Sequence, residues 1–124
     1  MSPSPATDDR TSVQDRKAAT PAHDILDVFT RRWSPRAFAD RPVEPEKIRR
    51  MLEAARWTMS SYNEQPWRYV VASRHENPEA YDRLLRCLSV GNQSWAEHAP
   101  VLMMSFYKTT FSRNGRRNRC APHD

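Results

Sequence analysis

The sequence predicts an α+β fold, built from amphipathic helices and two apolar strands. Segments 45–57 and 77–88 have apolar residues at helical spacing. Two other segments, Trp67–Ala72 and Val101–Tyr107, are rich in β-branched and aromatic residues, which favour strands. The second of these is apolar on both faces, so we expect a sheet that helices cover.

The N-terminal end is predicted to be a polar tail followed by a first helix. Met1–Thr20 is rich in Ser, Pro, Asp and Arg and has few large apolar residues, so we expect disorder at 1–20. A helix is predicted from about Ala22 to Arg32, because its apolar residues recur at i, i+3 and i+4. These residues are Ile25, Val28 and Phe29. The predicted domain therefore covers 21–124.

Two longer helices have start signals as well as periodicity. The first is predicted over Pro45–Trp57, since proline suits the first turn of a helix. Its apolar stripe consists of Ile48, Met51, Leu52 and Ala55. The next helix is predicted to have Asn77 as its N-cap and Pro78 at its first position. Its apolar face consists of Tyr81, Leu84, Leu85 and Leu88. A short helix or turn is expected around Gln93–His98, before the second strand.

Composition is typical of a soluble protein. The 124 residues, 38% of them hydrophobic, suit one domain. No apolar run is long enough to span a bilayer, and the N-terminus lacks the apolar region of a secretory signal. Cys87 and Cys120 do not form a disulfide framework. We therefore predict a cytoplasmic protein without a membrane partner, in which both thiols stay reduced.

A formal net charge of +5 raises the possibility of nucleic-acid binding. However, the basic residues are spread along the chain rather than collected in one stripe. The densest group is Arg113, Arg116, Arg117 and Arg119. We interpret this group as a loop exposed by truncation of the chain, and we predict no nucleic-acid partner.

Metal and phosphate-loop motifs are weak or missing in the sequence. Cys120 and His123 have a spacing compatible with two metal ligands, but a structural zinc needs four and no second pair is present. We interpret this segment as an irregular tail and predict no metal site. The only glycines are Gly91 and Gly115, which argues against Gly-rich phosphate loops.

Segment Arg31–Phe38 contains a cluster that suits phosphate. Pro35 disfavours helical geometry at Ser34, so we expect an extended chain. Arg32, Ser34 and Arg36 would then project from one face. Two guanidinium groups beside a hydroxyl suit a phosphate monoester. The alternative interpretation is a basic helix end followed by solvated arginines.

Segment 60–71 begins with a dense set of uncharged donors and acceptors. These are Ser60, Ser61, Asn63 and Gln65. Pro66 biases Gln65 towards an extended conformation, so that Asn63 and Gln65 would face the same side. Amide side chains provide both donors and acceptors, which suit the acceptor, donor, acceptor pattern of the pyrimidine edge of an isoalloxazine ring. An ordinary polar turn before a strand is the alternative.

In this order, the two segments resemble the nitroreductase family of FMN-dependent oxidoreductases. The resemblance covers roughly Asp24–Asp124 and includes "PEKIRRMLEAARW", "WRYVVA" and "WAEHAPVLMMSFY". It implies a nitroreductase-like three-layer α/β sandwich, truncated here after the proximal strands. It also implies a homodimer with FMN at the subunit interface. Electrons would pass from NAD(P)H through FMN to small nitro-aromatic or quinone-like acceptors.

The resemblance also implies roles for individual residues. Arg32, Ser34 and Arg36 match the stretch that holds the FMN phosphate and ribityl chain in the family. The stretch that approaches the flavin of the partner subunit is matched by Ser60, Ser61, Asn63 and Gln65. Because the flavin performs the hydride chemistry, no catalytic side chain is predicted.

Two features depart from the family pattern. The family usually has proline before the Ser-Ser pair, where this chain has Met59, and the loss of a proline would loosen the loop. Family members also continue well beyond Asp124, and "NRCAPHD" resembles the segment that opens their distal half. The alternative prediction is therefore a truncated, catalytically inactive fragment, at most a weak flavin-binding or dimerisation module. Its open sheet edges would favour association.

Overall fold

A computed structural model describes residues 16–124. Most of the predicted disordered tail therefore lies outside the described residues. The described residues divide into two compact units, 16–35 and Arg36–Asp124. Among the described residues, none of the helices has the length and apolar character needed to cross a bilayer.

The first unit includes a short helix, α1, at Asp27–Thr30. The predicted helix over Ala22–Arg32 was therefore too long. The side chains of Ile25, Val28 and Phe29 are 49, 68 and 66% exposed, so the predicted apolar face is largely uncovered. A helix shorter than about 12 residues is marginal without such packing, which explains why only one turn forms.

The second unit contains the remaining helices and both strands. Its elements are α2 (Pro45–Arg56), a 3-10 turn (Ser61–Asn63), β1 (Trp67–Ser73), α3 (Pro78–Arg86), α4 (Val90–Ala96) and β2 (Val101–Tyr107). This order agrees with the predicted α+β class. Helix α2 and both strands lie within one residue of their predicted bounds, whereas α4 begins three residues before Gln93.

Strands β1 and β2 form an antiparallel ladder, with Trp67 opposite Tyr107 and Ser73 opposite Val101. Helix α3 packs against both strands. Its Tyr81 is only 2% exposed, and the hydroxyl donates to the carbonyls of Ala96 and Ala99 at 2.8 and 2.7 Å. These bonds join α3 to the segment that leads into β2, and they hold α3 against one face of the sheet.

The sheet is less covered than its sequence predicts. In β2 the side chains of Met103, Phe106 and Tyr107 are 36, 49 and 48% exposed. The expectation that helices cover both faces is therefore not met by the described residues. The apolar side chains of β2 retain surface that a further layer could bury.

The start of α3 differs from the prediction in one detail. Asn77 precedes the helix as expected, but its side chain does not cap α3. Instead, Asn77 Oδ1 accepts a 2.6 Å hydrogen bond from the backbone N–H of Ser73. The side chain therefore closes the turn between β1 and α3, because the end of the strand competes for the same oxygen.

Candidate functional site

The predicted phosphate-binding residues lie in a segment without regular secondary structure, here called the arginine segment (Arg32–Arg36). Arg32, Ser34 and Arg36 are all exposed. The boundary between the two units falls within this segment, after Pro35. The neighbouring Arg31 forms an ion pair with Asp27 at 3.3 Å. Neither Arg32 nor Arg36 has an ion pair with a described residue of its own unit, so both keep their donors available for an anion.

The second predicted segment forms a closed loop, here called the amide loop (Ser60–Gln65). Three of its residues have positive φ angles: Tyr62 at 56°, Asn63 at 53° and Gln65 at 48°. The prediction of an extended Gln65 was therefore wrong. The cause is Ser60, whose Oγ accepts a 2.9 Å hydrogen bond from the backbone N–H of Gln65. This bond closes the chain and outweighs the preference imposed by Pro66.

Left-handed backbone is costly for two of these three residues. Asparagine adopts it with little strain, whereas other non-glycine residues pay about 1–2 kcal/mol each. Such strain persists only where the surroundings fix the conformation, and it concentrates at ligand sites. Tyr62 and Gln65 are therefore the strained positions of the amide loop, and they flank Asn63.

The two predicted amide side chains still meet, although not by the extended geometry expected. Gln65 Nε2 donates to Asn63 Oδ1 at 3.2 Å. Among the described residues, nothing bonds to the side-chain nitrogen of Asn63, Nδ2, or to the side-chain oxygen of Gln65, Oε1. The pair therefore presents a free donor and a free acceptor side by side. Both residues are exposed, so these groups can reach a ligand.

The two serines of the loop have different roles. Ser60 uses its hydroxyl oxygen to close the loop, as described above. The backbone N–H of Ser61 donates to Asp124 Oδ1 at 3.1 Å, while its hydroxyl has no partner among the described residues. We therefore find Ser61, Asn63 and Gln65 open to a ligand and Ser60 committed to the fold of the loop.

Gln65 also lines a cleft of about 390 Å³ beside β1. Its other lining residues are Leu52, Arg56, Trp67, Arg68 and Tyr69. Two aromatic residues and two arginines therefore line the same cleft as Gln65. The indole Nε1 of Trp67 donates to the backbone oxygen of Asp124 at 2.9 Å, which fixes the indole ring. The volume lies within the range of about 300–1,000 Å³ that is usual for small-molecule sites.

The sequence did not identify Tyr62 and Glu64 as site residues, yet both anchor the amide loop. Glu64 Oε1 accepts hydrogen bonds from the backbone N–H of Ser112, at 2.6 Å, and from the Ser112 hydroxyl. Lys108 Nζ lies 3.7 Å from the same oxygen. The hydrogen bonds from the Ser112 hydroxyl and N–H, followed by the charge of Lys108, hold the pKa of Glu64 below its usual value.

Tyr62 makes contacts through its ring, although the residue is 74% exposed. The Arg113 guanidinium lies 4.4 Å from the centroid of the ring, and Phe111 meets it edge-on at 5.7 Å. The contacts at Glu64 and at Tyr62 both reach segment 108–117, here called the supporting segment. No sequence pattern marks a contact across 48 residues, so only the charge of Glu64 among uncharged neighbours could have drawn attention to it.

The arginines of the predicted basic loop contact two different parts of the protein. Arg113 stacks on Tyr62 and Phe111. Arg117 and Arg119, by contrast, line a cleft of about 220 Å³ with Tyr107, Thr109, Asn118 and Pro122. All four arginines are exposed, but they do not form one continuous stripe around a single groove.

Known proteins resemble this chain over most of its described length. The chain is 34% identical over 90 residues to a NADH dehydrogenase of Thermus thermophilus, covering 73% of this chain and 42% of the relative. A Streptomyces coelicolor protein that bears the name NADH dehydrogenase/NAD(P)H nitroreductase is 34% identical over 82 residues, covering 66% of this chain and 39% of that protein. The chain thus spans less than half the length of these two curated relatives.

A solved structure is similar to this chain in fold as well as in sequence. The crystal structure of an oxidoreductase containing FMN superposes with a TM-score of 0.78 at 32% identity. The superposition covers 92% of this chain and 57% of the other. The model of the Nitroreductase family matches residues 29–121, which is well over half of the sequence. The chain therefore belongs to the nitroreductase family.

Proposed function

We propose that this chain binds FMN and serves in an oxidoreductase that passes electrons from NAD(P)H to small nitro-aromatic or quinone-like acceptors. Family membership supports the reaction class. The names of the relatives support the nicotinamide donor, and the FMN of the matched structure supports the cofactor. Within the chain, the proposal rests on the amide loop, which presents a free donor and acceptor beside an aromatic cleft.

The donor set of the chain fits the chemistry of FMN. The arginine segment supplies two exposed guanidinium groups and the Ser34 hydroxyl, which suit a phosphate. The amide loop supplies Asn63 and Gln65, whose free groups match the polar edge of a flavin ring. FMN would supply the hydride chemistry, so no side chain is required as acid or base.

The proposed tasks of the residues follow from this division. Arg32 and Arg36 neutralise phosphate charge and therefore contribute mainly to affinity. Ser61, Asn63 and Gln65 orient the ring, because hydrogen bonds are directional and weaken steeply away from linear geometry. Trp67 and Tyr69 provide apolar walls that keep water from the ring.

A homodimer with FMN at the subunit interface completes the proposal. It follows the family resemblance, in which the amide loop approaches the flavin of the partner. Large apolar side chains near this loop are exposed, including Trp57 at 77% and Met59 at 91%. A second copy would remove such surface from water. The proposed location is the cytoplasm, where Cys87 and Cys120 stay reduced.

The test is the visible absorption spectrum of the purified chain after incubation with FMN and desalting. A retained, nearly stoichiometric flavin band is the expected result. Anaerobic addition of NADH or NADPH should then bleach this band. A protein that stays colourless would overturn the proposal. Retention without bleaching would support the alternative, a flavin-binding module without turnover.

A further inference from the structure

We propose that Glu64 and Tyr62 are positioning residues, which hold the amide loop in the conformation that presents Ser61, Asn63 and Gln65 to the flavin. This inference rests on the proposed function and assigns a task to two residues outside the predicted set. Along the loop the residues alternate in role. Those at positions 61, 63 and 65 keep free polar groups, while those at 62 and 64 contact the supporting segment.

The Glu64 contact has the properties of a fixed anchor. Its side chain is only 9% exposed, and one carboxylate oxygen accepts two hydrogen bonds from Ser112. Lys108 Nζ donates to the Ser112 hydroxyl at 2.7 Å, so the acceptor, the hydroxyl and the cation form a connected network. Hydrogen bonds to ionised groups are stronger than neutral ones, and a connected network restricts each member.

The supporting segment is itself anchored to the sheet. The backbone N–H of Lys108 donates to the carbonyl of Pro66 at 2.9 Å, and Pro66 is fully buried. Thr110 and Arg117 form a β-bridge, and Phe111 N–H donates to the Arg116 carbonyl at 2.8 Å. Contacts to this segment therefore fix the amide loop relative to β1, which begins at Trp67.

The left-handed residues explain why such an anchor is needed. Tyr62 and Gln65 are held at φ values of 56° and 48°, which most side chains avoid. A loop that stores strain relaxes unless its surroundings prevent it. The stacking of Arg113 on the Tyr62 ring and the bonds to Glu64 act on residues of this strained turn. Removing either contact would let the loop relax and would move the amides of Asn63 and Gln65.

The experiment compares the full chain with Glu64→Ala, Glu64→Gln and Glu76→Ala. Glu76 is an exposed carboxylate in the turn after β1, so Glu76→Ala removes the same charge as Glu64→Ala without touching the amide loop. Hydrogen exchange of residues 60–65 is measured without ligand, and affinities for FMN and riboflavin are measured by fluorescence quenching. Tyr81→Phe serves as a stability control, because it weakens the core through α3 and leaves the loop contacts in place.

In Glu64→Ala we expect exchange of the loop to accelerate about tenfold, the size of effect that follows from one strong hydrogen bond. Affinity for FMN and for riboflavin should fall by the same factor, because the ring is common to both. Glu64→Gln retains an acceptor for Ser112 and should recover most of the loss. Glu76→Ala should match the wild type, and Tyr81→Phe should lower the Tm without changing either ligand affinity.

Unchanged loop exchange in Glu64→Ala would overturn the proposal, as would faster exchange with unchanged affinity. A loss for FMN alone would also contradict it, since that result would place Glu64 near the phosphate. If the wild type binds neither flavin, the proposed function fails. Loop exchange would then still decide whether Glu64 holds the loop.

Discussion

The arginine segment and the amide loop serve one proposed ligand, but the protein holds them in opposite ways. Arg32 and Arg36 are exposed, lie in a segment without regular secondary structure, and have no ion pair with a described residue of their own units. The amide loop has a defined turn, an internal Ser60 bond and contacts to the supporting segment. The arginine segment therefore has free donors in a loosely held stretch of chain, whereas the amide loop has its conformation fixed before a ligand binds.

The difference follows from the physics of the two tasks. Attraction between opposite charges falls slowly with distance, so a guanidinium group needs only approximate placement to bind phosphate. A hydrogen bond to a ring edge loses most of its value when its angle is poor. Fixing the amides before the ligand arrives also removes an entropic cost from binding. Changes in the arginine segment should therefore alter charge-dependent affinity, and changes in the amide loop should alter orientation.

The largest expected effect comes from the double variant Arg32→Ala/Arg36→Ala. Each charge-assisted contact contributes about 1.5–3 kcal/mol, and we take the low end because both residues are exposed. FMN affinity should therefore fall about 100-fold. Riboflavin lacks the phosphate, so its affinity should change by less than about twofold. Isothermal titration calorimetry with both ligands measures the ratio.

Arg83→Ala/Arg86→Ala is the matched control for this double variant. It removes the same charge from exposed positions on α3 and should leave both affinities unchanged. Equal losses for FMN and riboflavin in the Arg32/Arg36 variant would contradict the assigned phosphate role. Comparable losses in the α3 control would indicate that net charge, rather than these two arginines, governs binding.

Much of the second unit could be predicted because its signals are local. Helix α2 combines Pro45 at the first turn with apolar residues at helical spacing, and the structure places it at Pro45–Arg56. The strands β1 and β2 are short runs rich in β-branched and aromatic residues, which are enriched in β-strands. The prediction for α1 failed because periodicity shows which face a helix would bury, and not whether anything covers that face.

The conformation of the amide loop could not be predicted from residue types. Tyr62 and Gln65 do not favour left-handed backbone, and Pro66 argued for an extended Gln65. What decides the loop is a side-chain bond from Ser60 and an anchor at Ser112, far along the chain. The sequence indicates which residues we propose to face the ligand, whereas it does not indicate the backbone conformation that exposes them.

A smaller effect should appear when Gln65→Gly is compared with Gln65→Ala. Both variants remove the amide, so both should weaken FMN and riboflavin equally. Glycine adopts a positive φ without strain, whereas alanine at the same φ remains strained. The glycine variant should therefore be more stable by about 1 kcal/mol in urea unfolding. An alanine variant more stable than the glycine variant, as expected at ordinary backbone angles, would show that position 65 is not left-handed in solution, and the case for a preorganised loop would lose its main support.

The smallest effect concerns the titration of Glu64, which tests the anchor directly. Its folded pKa is lowered, so the contribution of the carboxylate to stability is fully present above the unfolded pKa and is lost as the pH falls through the folded pKa. Ser112→Ala removes the hydroxyl that contributes most to this shift, and the midpoint should rise towards the usual value. The Ser112 N–H and Lys108 remain, so the rise should be partial.

Carbon-13 NMR of the Glu64 carboxyl group measures the titration midpoint in the wild type and in Ser112→Ala. The control variant Ser105→Ala, at an exposed position on β2, should have the same midpoint as the wild type. Identical midpoints in the wild type and Ser112→Ala would show that the Ser112 hydroxyl does not bond to Glu64, and the proposed anchor would lose its largest contribution to the lowered pKa.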